Sequence, residues 1–415
     1  MPQYTNHFNT KTLDPHTLEQ GYEALKREAL SQEVGYYTLA ADSQLLVEGL
    51  APLSEEIERH YHTIAVIGIG GSSLGIKAID RLLRSKTPNA KKIIYLENSD
   101  PVSILSEMSQ IDPRRTLFMV ISKSGGTVET LSIFKRLIVS FDLKVEHSKQ
   151  IIVISDEGSI LSKFADENTL RRFVIPANVG GRFSVLSAVG MVPLTLAGFD
   201  TMALLKGADG FLNRFWNREE EHLIQKASYY ISNAQSMPIN VLFAYSDLFE
   251  EFGKWIVQLW GESLGKRNRQ GERVGLTPIS LIGSVDQHSF LQLIVEGPLN
   301  KSVTFMHINH SEEALMIPEL SLKHLEKSDF VNGISFNELI NAQCQATMQS
   351  VLQSGTSVDE IAWERLDEGS VGEMILYYEL LTSLAGVLLQ INTYDQPGVE
   401  LGKQILAGYF EKQIP

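Results

Sequence analysis

A chain of 415 residues that is 43% hydrophobic and 21% charged has the balance of a globular protein with two or three domains and sizeable cores, which excludes a disordered chain. A formal net charge of −14 and a pI near 5.3 argue against nucleic acid or an anionic membrane as partner, because such binders need a basic footprint to displace counterions from phosphates. An anionic substrate would need a local basic pocket.

The first forty-odd residues, 1–45, read as a polar, helical N-terminal extension, and "MPQYTNHFNTKTLD" lacks a charged start followed by an apolar stretch, so a cytoplasmic location is expected. A first α/β domain is assigned to 46–205. From Thr63 to about Gly198 the short apolar runs "TIAVIGI", "KKIIYLE", "TLFMVIS" and "QIIVIS" alternate with segments of helical period. That alternation implies βαβ units with right-handed crossovers and a parallel sheet covered on both faces, with ligands at the carboxyl ends of the strands.

A second α/β domain, 206–391, offers the strands "PINVLFAYS", "TPISLIGS" and "KSVTFMHINH", so the two units are compatible with a diverged duplication. Beyond Ser335 almost no strand signal remains, only two long helical patterns. Met374 to Ile391 is shorter than a span of about 20 residues and carries Glu379 and Gln390, so it reads as a buried helix. The turn "NTYDQPG" and a last helix, 392–415, complete the chain. The single cysteine, Cys344, cannot form an intrachain disulfide and sits in a helical pattern, a structural residue.

Two glycine-rich loops invite an anion. In "IAVIGIGGSSLG", Ile64 to Gly75, Gly68 and Gly70 match the first two glycines of the dinucleotide fingerprint, but Ser73 takes the third position and Gly75 comes two residues too late. Glu97, ending the next strand, keeps a ribose-binding acid and thus a dehydrogenase in play. Gly70, Gly71, Ser72 and Ser73 alternatively form an anion site at a helix start, or only a turn capped by Ser72. The second loop, "VISKSGGTVET", places Ser122, Lys123, Ser124, Gly125, Gly126, Thr127 and Thr130 directly before a helix. Hydroxyls, free amides and the helix dipole together can satisfy a monophosphate; the ordinary alternative is a helix start capped by Thr127 with Glu129 in its first turn. It is not a P-loop, since Lys123 precedes the glycines.

These two loops resemble sugar isomerase (SIS) domains and, more closely, the phosphoglucose isomerase family. Four further segments match that family in order: "VGGRFSVLSAVG" at 179–190, "QLWGESLGKR" at 258–267, "GSVDQHSFLQL" at 283–293 and "YDQPGVELGKQ" at 394–404. The resemblance implies two doubly wound SIS-type α/β units with mainly parallel sheets, completed by a C-terminal helical arm. It implies interconversion of glucose 6-phosphate and fructose 6-phosphate through ring opening and an enediolate, without a cofactor or metal, by a homodimer with shared sites. The chain departs from longer members in its reduced N-terminal region and in Ser-Gly-Gly within the phosphate loop, which bears on selectivity.

Residue by residue, Gln258 and Glu262 lie four apart on one face of a predicted helix, beside Trp255 and Leu259. A half-buried carboxylate there suits a base that takes and returns a proton, although a surface Glu262–Lys266 pair is equally open from spacing alone. The resemblance makes Glu262 the base and Gln258 a substrate contact. Arg182, between glycines, stays charged and suits an enediolate. His288 can exchange protons near neutral pH. By resemblance it opens the ring and reaches the neighbouring subunit's site, with Glu129 a candidate to orient it. Lys403 either pairs with Glu400 or, by resemblance, assists ring opening with Gln396 on the substrate. Gly71 and Ser72 are expected at the sugar and the second loop at the phosphate. No HxH, HExxH or CxxC is present. A phosphomannose-type isomerase and a non-catalytic sugar-phosphate sensor remain as alternatives.

Overall fold

The computed structural model describes residues 2–8, 14–311 and 315–411, with Glu411 described in its backbone only. Strand β1 (Gln3–His7) and helices α1 (Pro15–Ser31), α2 (Tyr36–Gly49) and α3 (Ala51–His60) precede the first sheet. That sheet comprises β2 (Thr63–Ile67), β3 (Lys92–Leu96), β4 (Thr116–Ile121), β5 (Ile151–Asp156) and β6 (Arg171–Ile175), connected by α4 (Leu74–Leu83), α5 (Pro101–Met108), α6 (Val128–Phe141) and α7 (Ile160–Glu167). All neighbours are parallel, in the order β3-β2-β4-β5-β6. Helices α8 (Ala188–Ala197), α9 (Thr201–Trp216) and α10 (Glu221–Ser232) lead to the second sheet.

The second sheet is formed by β7 (Ile239–Tyr245), β10 (Thr277–Ile282), β11 (Lys301–Ile308) and β12 (Ser357–Trp363), with β1 on its edge. Between β7 and β10 lie α11 (Glu250–Leu264) and a small hairpin, β8 (Lys266–Arg267) with β9 (Arg273–Val274); α12 (Leu291–Val295) and α13 (Phe336–Gln353) connect the later strands. Its order, β1-β12-β11-β7-β10, places the first of its parallel strands between the second and third, as in the first sheet. Both sheets therefore have a crevice at the carboxyl ends of two strands whose connections leave in opposite directions. Helix α14 (Glu368–Leu388) and helix α15 (Pro397–Glu411) end the described chain.

Three features differ from the sequence reading. The N-terminal segment is not helical throughout, because Gln3–His7 pairs antiparallel with β12. Its polar residues carry no strand signal; the edge of β12 supplies the backbone partners. Second, β12 occupies a stretch read as helical. Its Asp359 and Glu360 hid it, yet Asp359 is fully buried, accepting from Lys226 Nζ at 2.6 Å and Thr304 Oγ1 at 2.7 Å. A buried charge paired on both sides is tolerated where an isolated one is not. Third, β6 was masked by Arg171 and Arg172, which pair with Glu56, Glu157 and Asp166.

Helix α14 is long and apolar enough by length and composition to cross a membrane, but it is 89% buried against the rest of the protein, packing on α9, α10 and α1. The central strands of the first sheet are covered on both faces, and all six residues of β4 are buried, whereas edge strand β6 is partly exposed. Cys344 is buried in the second core, where burial pushes its thiol up, away from reactivity.

Candidate active site

Strands β2 and β4 are neighbours, so the loops that follow them meet at one edge of the first sheet. The glycines of the first loop serve close packing. A Cβ on Gly71 would lie 2.3 Å from the Gly181 carbonyl oxygen, and Gly70, at φ +60°, has Gln258 Nε2 where its Cβ would go. The loop is thereby fixed against both the Arg182 segment and helix α11. Glu97, the candidate ribose acid, is instead ion-paired with Lys77 at 2.7 Å, and Ser73 is buried; the dinucleotide reading loses both its acid and its third glycine.

In the second loop, Thr127 precedes α6 without capping it through its side chain; its hydroxyl lies 2.9 Å from that of Ser122. Gly125 has φ +71° and abuts Ser159, so only glycine fits this turn. Ser124 and Gly126 are exposed, and the buried Thr130 hydroxyl has no hydrogen-bond partner among the described residues. Lys123 is engaged elsewhere: it pairs with Asp156 at 3.2 Å and donates to the Ala177 carbonyl.

Arg182, in a short turn of 3-10 type (Gly181–Phe183), is fully buried. Its Nε donates to Ser263 Oγ (2.6 Å) and Nη2 to the Thr393 carbonyl (2.5 Å), while Nη1 stands 3.6 Å from Glu262 Oε2. Burial holds the guanidinium below its ordinary pKa, opposed by the charges of Glu262 and Asp395. Glu262, one-third exposed, also accepts from Gln258 Nε2 (3.3 Å) and from Gln396 Nε2 (2.8 Å). Three residues from three distant segments thus converge on one carboxylate.

Gln258 does lie beside Glu262 on the helix face that their spacing predicts, and the remaining partners come from other segments. Lys266 does not pair with Glu262. It donates to the carbonyls of Asn392 (3.2 Å) and Asp395 (2.6 Å) and pairs with the Asp395 carboxylate, while burial lowers its pKa. Lys266, Ser263 and Asp395 were missed as site residues; the first two lie in the matched segment "QLWGESLGKR" and Asp395 in "YDQPGVELGKQ", the signal that could have found them. A cavity of about 860 Å³ opens beside Glu262, walled by the β8–β9 hairpin and the turn before α15, with Lys266, Arg267 and Arg273 supplying positive charge. Glu262 and Asp395 also line it, so its cations exceed its carboxylates by one in a chain of net charge −14.

The sequence pattern of the phosphoglucose isomerase family matches residues 56–414. The chain belongs to the phosphoglucose isomerase family. A glucose-6-phosphate isomerase of Campylobacter jejuni is 43% identical over 95% of this chain and 97% of its own length, and one of Thermus thermophilus is 34% identical over 91% and 90%. Among solved structures, a hypothetical protein of Thermus thermophilus superimposes with a TM-score of 0.87 at 31% identity, covering 98% of this chain and 100% of its own. A glucose-6-phosphate isomerase of Chlamydia trachomatis gives 0.82 at 22% identity, covering 99% and 89%, which speaks to the fold.

Against the phosphoglucose isomerase expectations, two residues stand apart within the chain. His288 follows β10 on an exposed turn and makes no hydrogen bond or ion pair among the described residues. Lys403, on α15, is two-thirds exposed and pairs with Glu400 at 2.7 Å, the ordinary i, i+3 contact. Among the described residues no hydrogen bond or ion pair joins Glu129 to His288. Within a single chain, Arg182, Gln258, Glu262 and Gln396 come together, with the first loop against Gln258.

Proposed function

We propose that this site interconverts glucose 6-phosphate and fructose 6-phosphate, with Glu262 moving the proton between C1 and C2. The observation that carries the assignment is the convergence of Arg182, Gln258 and Gln396 on the Glu262 carboxylate. Glu262 takes the C2 proton of the open-chain aldose and returns it to C1; the electron pair left behind becomes the enediolate, whose negative oxygen is met by the guanidinium of Arg182. Arg182 Nη1, buried and without a hydrogen-bond partner among the described residues, and the equally orphaned Gln258 Oε1 supply groups for substrate oxygens. Ser122, Ser124, Thr127 and Thr130, with the amides that open α6, hold the phosphate; Gly71 and Ser72 border the sugar.

The chain acts as a homodimer, and ring opening falls to Lys403 and to His288 of the partner subunit. In support, the His288 side chain has no hydrogen-bond or ion-pair partner among the described residues, and α15 exposes Val399, Leu401, Ile405 and Phe410 to solvent. The segment with Leu320, Leu322 and Phe330, the last 85% exposed, presents further apolar side chains to solvent.

The decisive experiment incubates purified protein with fructose 6-phosphate in deuterated water containing EDTA and follows the products by NMR. Glucose 6-phosphate with deuterium at C2 is expected. No turnover overturns the assignment, and mannose 6-phosphate as product transfers it to the phosphomannose-type alternative. In the same assay Glu262→Gln is expected to lose about 10²- to 10⁴-fold in kcat while still binding sugar phosphate; normal turnover would remove Glu262 as the base.

A further inference from the structure

Gln396 reaches Glu262 from a turn whose own placement has to be explained. Downstream of it, α15 is exposed along its length and gives the turn little to rest on. On one side Arg182 and Lys266 grip the turn's carbonyls, but both cations belong to the site they are holding. Thr393 packs against Gly386 of α14, and among the described residues one side chain of the turn hydrogen-bonds to a part of the molecule outside the site.

That side chain is Tyr394, two residues before Gln396. Its hydroxyl donates to Glu28 Oε1 of α1, and it lies 3.2 Å from the Tyr37 hydroxyl of α2 and 3.0 Å from Ser383 Oγ of α14. Tyr37 donates to the same oxygen of Glu28 at 2.8 Å, and Tyr36 donates to Ser383 at 2.8 Å. Phe183, adjacent to Arg182, packs its ring 5.4 Å from that of Tyr394 and 4.9 Å from that of Tyr36. A carboxylate largely removed from water, stabilised by two phenol donors, makes a knot that is costly to leave half-made. Burial raises the Glu28 pKa, and the two phenols oppose that rise.

We propose that Tyr394, Glu28 and Tyr37 form a buried latch through which the N-terminal helices α1 and α2 position Gln396 against the Glu262 carboxylate. These are positioning residues: none touches substrate, and each acts through the turn. The latch rests on the assignment of Glu262 and Gln396 to the isomerase site. Its reach is long in sequence, since Glu28 and Tyr394 lie 366 residues apart.

The test compares kcat and KM for fructose 6-phosphate in wild type, Tyr394→Phe, Glu28→Ala, Glu28→Gln, Gln396→Ala and the Tyr394→Phe/Gln396→Ala double variant. Tyr394→Phe and Glu28→Ala are expected to lower kcat about tenfold with KM within about twofold, as for a misplaced catalytic group. Glu28→Gln keeps the accepting oxygen and is expected to restore most of the rate. The double variant should be no slower than Gln396→Ala alone. Wild-type kcat in Tyr394→Phe, or a double variant showing the product of the two losses, overturns the latch. Should Tyr394→Phe fail to fold, equal rates in the two Glu28 variants do so. Wild-type turnover separately tests the isomerase assignment. Independent of turnover, the crystal structure of Tyr394→Phe should show Gln396 withdrawn from Glu262, and an unchanged 2.8 Å contact counts against the latch.

Discussion

The three nitrogens of the Arg182 guanidinium address three groups in two parts of the chain: Ser263 and the Glu262 carboxylate of α11, and the Thr393 carbonyl. A planar fork with fixed donor directions can do this, whereas a lysine ammonium has one nitrogen at the end of a flexible stem. Arg182→Lys is therefore expected to keep the charge but lose the geometry, lowering kcat/KM by about 10². Steady-state kinetics beside a melting curve checks it, and a wild-type kcat/KM would show that charge alone suffices. The candidate residue was legible because "VGGRFS" pairs an arginine with glycines. Its partners were not, because Thr393 lies 211 residues away. Gly71 had been expected at the sugar, and its close approach to Gly181 shows why no larger residue fits there whatever the ligand.

At the scale of elements, the first sheet was the most legible part of the fold, because strands buried on both faces read as continuous apolar runs. Strands β6 and β12 escaped because charged residues interrupt them, and only tertiary partners neutralise those charges. Helix α14 was read correctly as buried, yet it encloses Glu379 with both carboxylate oxygens unpartnered among the described residues. Burial holds this carboxyl well above its ordinary pKa of 4.5. The folded state thus keeps a proton that the unfolded chain releases, so the group's contribution is fully present below about pH 4.5 and is lost as pH rises. Glu379→Met, of similar volume, is expected to raise the melting temperature by about 3 °C at pH 8 and by less at pH 4.5. A variant melting below wild type at pH 8 would mean that Glu379 has a favourable partner.

For the whole molecule, the two sheets share one strand order, but the residues at their carboxyl edges have diverged. The loops after β2 and β4 carry glycines and hydroxyls; the corresponding turn after β7 carries Ser246 and Asp247, and β11 is followed by Asn309 and His310. The site is built from the first sheet's edge and the end of α11, closed by the turn before α15. The proposed homodimer with shared sites predicts a complementation result. Glu262→Gln and His288→Ala, each inactive alone, should regain up to about a quarter of wild-type activity when mixed, unfolded and refolded together. Half of the molecules are then hybrids by random pairing, each with one intact site. Activity no higher than the separate variants would place His288 and Glu262 in the same chain's site or remove His288 from catalysis.

The sequence by itself determined the fold class, the two anion-suited loops, the family, and the pairing of Gln258 with Glu262, because each rests on short-range spacing: strand runs, glycines before helices, and residues four apart on one helix. Tertiary structure decided which groups surround Glu262, that Lys266 serves the 392–396 turn instead of the helix pair, that Lys123 is spent on Asp156, and that the N-terminal helices hold the turn through Tyr394. Those contacts join segments from tens to hundreds of residues apart, and no local pattern encodes a partner that only folding brings within 3 Å.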